Sequence, residues 1–112
     1  MCVIYHNSKC SKSRASKQIL EEKGIDFQII NYLQNPPSIQ ELQQILVELN
    51  ISATDFIRSG ETLFKELNLQ NASNEELIIT MVKNPQLIQR PIIKTKKGVC
   101  IGRPPENILQ IL

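Results

Sequence analysis

The sequence predicts an α/β domain in which a β-α-β half and a β-β-α half, separated by a helical insertion, contribute to one four-stranded mixed sheet. Three observations predict it. MCVIYH and IDFQIINYL are β-prone apolar runs on either side of a segment with helical spacing. From Ser38 to Pro85 the apolar residues recur at helical intervals behind two capping boxes. PIIKT and VCI are then two short apolar runs joined by Lys96-Lys97-Gly98.

Each element follows from local chemistry. Residues 1–6 form the first strand, and a polar loop leads into SRASKQILEEKG, where Ala15, Ile19 and Leu20 suit one helical face and Gly24 suits a C-cap. IDFQIINYL, residues 25–33, ends at Asn35-Pro36-Pro37 and completes a β-α-β unit with parallel strands. Ser38 and Glu41 have capping-box spacing ahead of Ile39, Leu42, Ile45, Leu46 and Leu49; Ser73 and Glu76 repeat it ahead of Leu77, Ile78, Met81 and Val82. Between them, residues 52–69 have helical character around Phe64 and Leu67. The Lys-Lys-Gly connection predicts an antiparallel hairpin. Beyond Arg103-Pro104-Pro105, ENILQIL predicts a closing helix that covers the sheet with Ile108, Leu109 and Leu112.

Bulk properties narrow the function. With 112 residues the chain suits one domain with a real core, and 41% apolar and 21% charged residues exclude a disordered or fibrous chain. A net charge of +2 and 4% aromatic residues give no footprint for nucleic acid. MCVIYHNSKC lacks the pattern of a signal peptide and the longest apolar run, LIITMV, is far too short to span a bilayer, so the expectation is a cytoplasmic protein that binds no membrane. Three cysteines with a single histidine give neither a disulfide framework nor a metal-ligand set.

The chemistry centres on HNSKCSKSR. Cys10 stands at the mouth of the first helix beside His6, Lys9, Lys12 and Arg14, a polar and cationic setting that favours a thiolate over a packed, inert thiol. Lysine outnumbers arginine nine to four, and each arginine, Arg14, Arg58, Arg90 and Arg103, lies beside a turn, an element end or a proline. A planar guanidinium suits an oxyanion held from two directions, against the plainer reading of four unrelated surface arginines. His6 is either an electrostatic partner of the thiolate or a polar end to the strand. Ser13 can hydrogen-bond a thiolate but cannot resolve a disulfide; its plainer role is first-turn helix chemistry. Arg90-Pro91 is a candidate cis bond, although trans leads on base rates, and Cys2 and Cys100 read as packing residues on strands.

HNSKCSKSR, the RSGE around Arg58, QRPII with Arg90 and IGRPPE with Arg103 resemble, in order, the four signatures of the glutaredoxin-coupled arsenate reductases. The resemblance runs nearly end to end. It implies a thioredoxin-like sheet in a single domain, residues 1–112, with a helical insertion at about 38–88. It also implies that Cys10 attacks arsenate, that Arg58, Arg90 and Arg103 cradle the oxyanion, and that His6, Ser13 and Arg14 activate and position the thiol. Glutathione is then the electron-donating co-substrate and glutaredoxin the partner, with no bound cofactor and no metal or flavin, in a monomer. Ser8 stands where the family often has proline, and Ser11-Lys12 resembles its chromosomal branch. Two other functions fit parts of the pattern: a general glutathione-dependent thiol-disulfide oxidoreductase, and a regulator of RNA polymerase similar to the Spx proteins. The Spx redox switch generally uses Cys-x-x-Cys, and Ser13 removes its second half here.

Overall fold

A computed structural model describes residues 2–112. The chain forms two compact units, one made of the residues up to Asn35 together with Arg90–Leu112, the other of Pro36–Gln89.

The first unit holds the sheet. Strands β1 (Cys2–His6), β2 (Phe27–Asn31), β3 (Ile92–Thr95) and β4 (Gly98–Ile101) lie in the order β2-β1-β3-β4. β1 runs parallel to β2 and antiparallel to β3, and β3 is antiparallel to β4, which is the predicted mixed sheet. Register places Ile4 beside both Ile29 and Ile93, so the two sequence halves meet at the middle of β1. One face carries Cys2, Ile4 and Ile93 under Leu20, Ile108 and Ile111.

Helix α1 (Ser11–Glu22) connects β1 to β2. It ends where Gly24 takes a φ of +66°, and the N–H groups of Gly24 and Ile25 return to the carbonyls of Glu21 and Leu20. That pair of bonds satisfies the last-turn carbonyls and needs a left-handed residue, which glycine supplies without a Cβ clash. The buried side chains of α1 are Ser13, Ser16 and Leu20, with Ala15 and Ile19 only half-buried. The predicted apolar face is therefore displaced, and two hydroxyls occupy its N-terminal half.

After β4 the chain makes a 3₁₀ helix, Pro105–Ile111, rather than the expected α-helix. Three residues per turn bring Pro105, Ile108 and Ile111 onto one buried face. Leu109, expected to cover the sheet, is 47% exposed for the same reason. The β3–β4 connection has only Lys96 and Lys97 between the strands, with Gly98 already in β4 at a φ of +152°.

The second unit contains α2 (Ile39–Leu49), α3 (Ala53–Phe56), α4 (Thr62–Glu66) and α5 (Asn74–Lys83), with short 3₁₀ turns at Leu69–Asn71 and Pro85–Leu87. Both predicted capping boxes are present: Ser38 with Glu41, and Ser73 with Glu76, exchange side-chain and backbone hydrogen bonds. Leu42, Ile45 and Leu46 of α2, Ala53 and Phe56 of α3, and Leu77, Ile78 and Met81 of α5 are buried. Ile39 at the start of α2 is exposed, and so is Leu67 just past α4. The Ala53 N–H donates to Asn74 Oδ1 at 2.7 Å, tying the start of α3 to the start of α5. Among the described residues no helix is long and apolar enough to cross a membrane.

Candidate active site

β1 ends at His6, and the next four residues turn the chain into α1. The Cys10 N–H donates to the Asn7 carbonyl at 3.0 Å, and the Cys10 carbonyl accepts the Arg14 N–H at 3.0 Å, which makes Cys10 the N-cap. Its thiol is only 6% exposed, yet its neighbours are polar: Arg103 Nη2 donates to Sγ at 3.5 Å. Burial pushes the thiol towards the neutral form. The Ser13 and Lys12 amides, with the Arg90 and Arg103 charges, outweigh burial and leave the pKa below that of an ordinary cysteine. No N–H makes a full capping hydrogen bond to the sulfur, so these amides act as oriented dipoles at the helix entrance.

The Ser13 hydroxyl is turned to other work. It is fully buried, accepts the Asn7 N–H at 3.0 Å and pairs with His6 Nδ1 at 2.5 Å. Burial, then Lys17 and Arg14, lower the His6 pKa, so the ring is neutral near pH 7. His6 thus ends β1 with its Nδ1 paired to Ser13 Oγ. Arg14 is exposed and braces the loop, donating from Nη1 to the Ser8 carbonyl at 2.9 Å.

Two further elements complete this part of the unit. Arg90 precedes β3 and Arg103 follows β4, and each is joined to its proline, Pro91 or Pro104, by a cis peptide bond. The Arg103 Nε donates to the Arg90 carbonyl at 2.7 Å while its Nη2 reaches Cys10, so one guanidinium spans both. Gly102 allows the approach, because a Cβ there would lie 2.3 Å from Ser16 Oγ and 2.8 Å from Pro91 Cγ. Arg58 belongs to the helical unit. There its Nη2 pairs with Glu61 Oε2 at 3.0 Å and its Nη1 donates to the Gln86 carbonyl at 3.0 Å.

Cys2 and Cys100 lie in and against the hydrocarbon core of the sheet. Burial raises both thiols, Cys100 to about 11 with a further push from Cys2. They sit on β1 and β4, which β3 separates, so two strand spacings of about 4.8 Å keep their backbones beyond disulfide reach. Among the described residues no group of three or more His, Cys, Asp or Glu could hold a metal ion.

The model of the ArsC family matches residues 5–111. The chain belongs to the ArsC family. It is 43% identical to the protein named arsenate reductase in Haemophilus influenzae, over 98% of this chain and 97% of that one. It is equally 43% identical to the uncharacterized protein YfgD of Escherichia coli, over 97% of this chain and 94% of that one. The solved structure of an arsenate reductase from Vibrio cholerae superimposes with a TM-score of 0.94 at 43% identity, covering 99% of this chain and 97% of that one. The four-stranded mixed sheet of this ArsC-family chain is thus the thioredoxin-like sheet of its structural neighbours.

Sequence reasoning passed over two residues that hold the Cys10 loop in this ArsC-family chain, Asn7 within it and Tyr32 bonded to Asn7. Asn7 uses its Oδ1 to accept the Lys9 N–H at 3.0 Å and its Nδ2 to reach the Tyr32 hydroxyl at 3.3 Å. An asparagine two residues ahead of an N–H is a readable turn signal. Nothing local marks Tyr32, which follows β2 and is 1% exposed.

Proposed function

We propose that this chain is an oxidoreductase that reduces arsenate to arsenite, with Cys10 as nucleophile. The observation that carries the reading is the Arg103 guanidinium held 3.5 Å from the Cys10 sulfur. It supports both requirements of the chemistry, a stabilised thiolate and a cation for an oxyanion that the thiolate alone would repel. The names carried by relatives at this level of identity support the substrate.

In the proposed cycle, the Cys10 thiolate attacks arsenic and a water leaves, giving a Cys10–arsenic(V) adduct. Glutathione then attacks the Cys10 sulfur. A Cys10–glutathione disulfide forms, the electron pair of the sulfur–arsenic bond passes to arsenic, and arsenite departs as arsenic(III). Glutaredoxin reduces the mixed disulfide and restores the thiol. An external thiol is required on this scheme because Ser13 cannot form a disulfide and Cys2 and Cys100 lie in and against the core. Arg90, Arg103 and Arg58 bind the oxyanion, Arg58 entering through the resemblance of its RSGE motif. His6, Ser13 and Arg14 hold the loop that presents the sulfur.

Arsenate-dependent NADPH oxidation, coupled through glutathione, glutaredoxin and glutathione reductase, tests the reading. Activity is expected with the reduced wild-type chain and none with Cys10→Ser. Substitution of Arg58, Arg90 or Arg103 is expected to raise KM for arsenate. A chain that reduces glutathione mixed disulfides, ignores arsenate and tolerates all three arginine substitutions is a general thiol-disulfide oxidoreductase instead.

A further inference from the structure

We propose that Asn7 is the positioning residue of the Cys10 loop, anchoring it to the Tyr32 hydroxyl and so fixing where the sulfur stands relative to Arg103. Asn7 uses all four of its polar groups, three of them within six residues and the fourth across 25. Its N–H goes to Ser13 Oγ, its C=O receives the Cys10 N–H, its Oδ1 receives the Lys9 N–H, and its Nδ2 donates to Tyr32. The first three bonds knit residues 7–13 together; the fourth ties that knot to the chain beyond β2. Swapping the amide oxygen and nitrogen would set an NH₂ against the Lys9 N–H, so the donor end must face Tyr32.

Ser8 and Lys9 are exposed, and the Lys9 N–H has only Asn7 Oδ1 to hold it among the hydrogen bonds described. Without this asparagine, the turn between β1 and α1 loses its side-chain brace on one side and its link to a buried hydroxyl on the other. Cys10 is the N-cap of the helix that follows. Any freedom in the turn therefore becomes displacement of Sγ from the Ser13 and Lys12 amides and from the Arg103 guanidinium, all of which favour the thiolate. The surrounding titratable and charged groups, His6, Arg14, Lys17, Arg90 and Arg103, are untouched by the substitution, so a change in the thiol reports position and not a lost charge.

This inference rests on the reading of Cys10 as the reactive thiolate, but its test needs no arsenate. The rate of Cys10 alkylation by iodoacetamide is followed from pH 4 to pH 10 in wild type, Asn7→Ala, Asn7→Ser and Tyr32→Phe, with the modified peptide identified by mass spectrometry. Asn7→Ala is expected to raise the midpoint by at least about half a unit, a loss of about threefold in thiolate population on the acid side of the transition. Asn7→Ser keeps a short side-chain acceptor for the Lys9 N–H and loses the reach to Tyr32, so it should fall between wild type and alanine. Tyr32→Phe should shift the midpoint in the same direction as Asn7→Ser. An unchanged midpoint in a folded Asn7→Ala chain overturns the proposal. If that variant does not fold, unchanged midpoints in both Asn7→Ser and Tyr32→Phe overturn it equally. Failure of the wild-type chain to reduce arsenate, with these shifts present, would count against the substrate and not against the role of Asn7.

Discussion

Replacing Arg103 by glutamine tests how far one guanidinium controls the sulfur. Arg103 Nη2 lies 3.5 Å from Sγ, and the residue is exposed, so solvent screens the pair. Two unit charges about 4 Å apart at the dielectric constant of water interact by about 1 kcal/mol. At about 1.36 kcal/mol per unit, that interaction is worth about 0.7 of a pKa unit, or about fivefold in thiolate at a pH below the transition. The sign is fixed: the cation favours the charged form, so its removal moves the transition up. Thiolate absorbance near 240 nm, titrated in wild type, Arg103→Gln and Arg103→Lys, measures the shift. Cys2 and Cys100 interfere little, since burial raises both, Cys100 to about 11. Lysine keeps the charge but cannot serve the Arg90 carbonyl and the sulfur from one planar group, so it should restore only part of the difference. High salt should shrink the wild-type shift towards that of Arg103→Gln. A folded Arg103→Gln chain with the wild-type transition would refute the electrostatic account of this site.

The Cys10 pKa is depressed on folding, so the unfolded chain binds more protons and stability rises with pH from the folded-state transition up to the ordinary thiol range near ~8.5. Wild type should therefore gain on Cys10→Ser across that window, seen as a widening difference in urea midpoint. Ser16 Oγ is fully buried and has no hydrogen-bond partner among the described residues, so Ser16→Ala should stabilise the chain by about 1 kcal/mol in urea denaturation. Gly102→Ala brings a Cβ into Ser16 Oγ and Pro91 Cγ and should destabilise the chain; adding Ser16→Gly should recover part of the loss, and a double-mutant cycle measures the coupling. Ser73→Ala removes a capping box from α5 and should cost about 1 kcal/mol in the same assay.

Features set by neighbouring residues were legible in the sequence. Ser38 with Glu41 and Ser73 with Glu76 cap their helices as their spacing requires, Gly24 turns the chain out of α1, and Lys96-Lys97-Gly98 closes a hairpin. Cys10 was legible in part for a similar reason, since the Lys12 and Ser13 amides that favour its thiolate adjoin it in the chain, whereas the charges that do so, Arg90 and Arg103, lie far along it. Contacts across long separations were not. Ser13 turns to a histidine seven residues earlier, Tyr32 reaches Asn7 across 25 residues, and Arg103 meets Cys10 across 93. The closing segment misled because Ile108, Leu109 and Leu112 satisfy an α-helical period, while Pro105, Ile108 and Ile111 satisfy the tighter one that the chain adopts.

The sheet is assembled from segments on either side of the helical unit, and this shapes its birth. β1 is synthesised before the other strands, and β2 follows it through α1, but the strand that belongs on its other side starts at Ile92. A nascent chain therefore carries the future middle of its sheet with one edge unpaired until Ile92 and the residues after it have been synthesised. Ile4 and Ile93 find each other only after a loop of 88 intervening residues has closed.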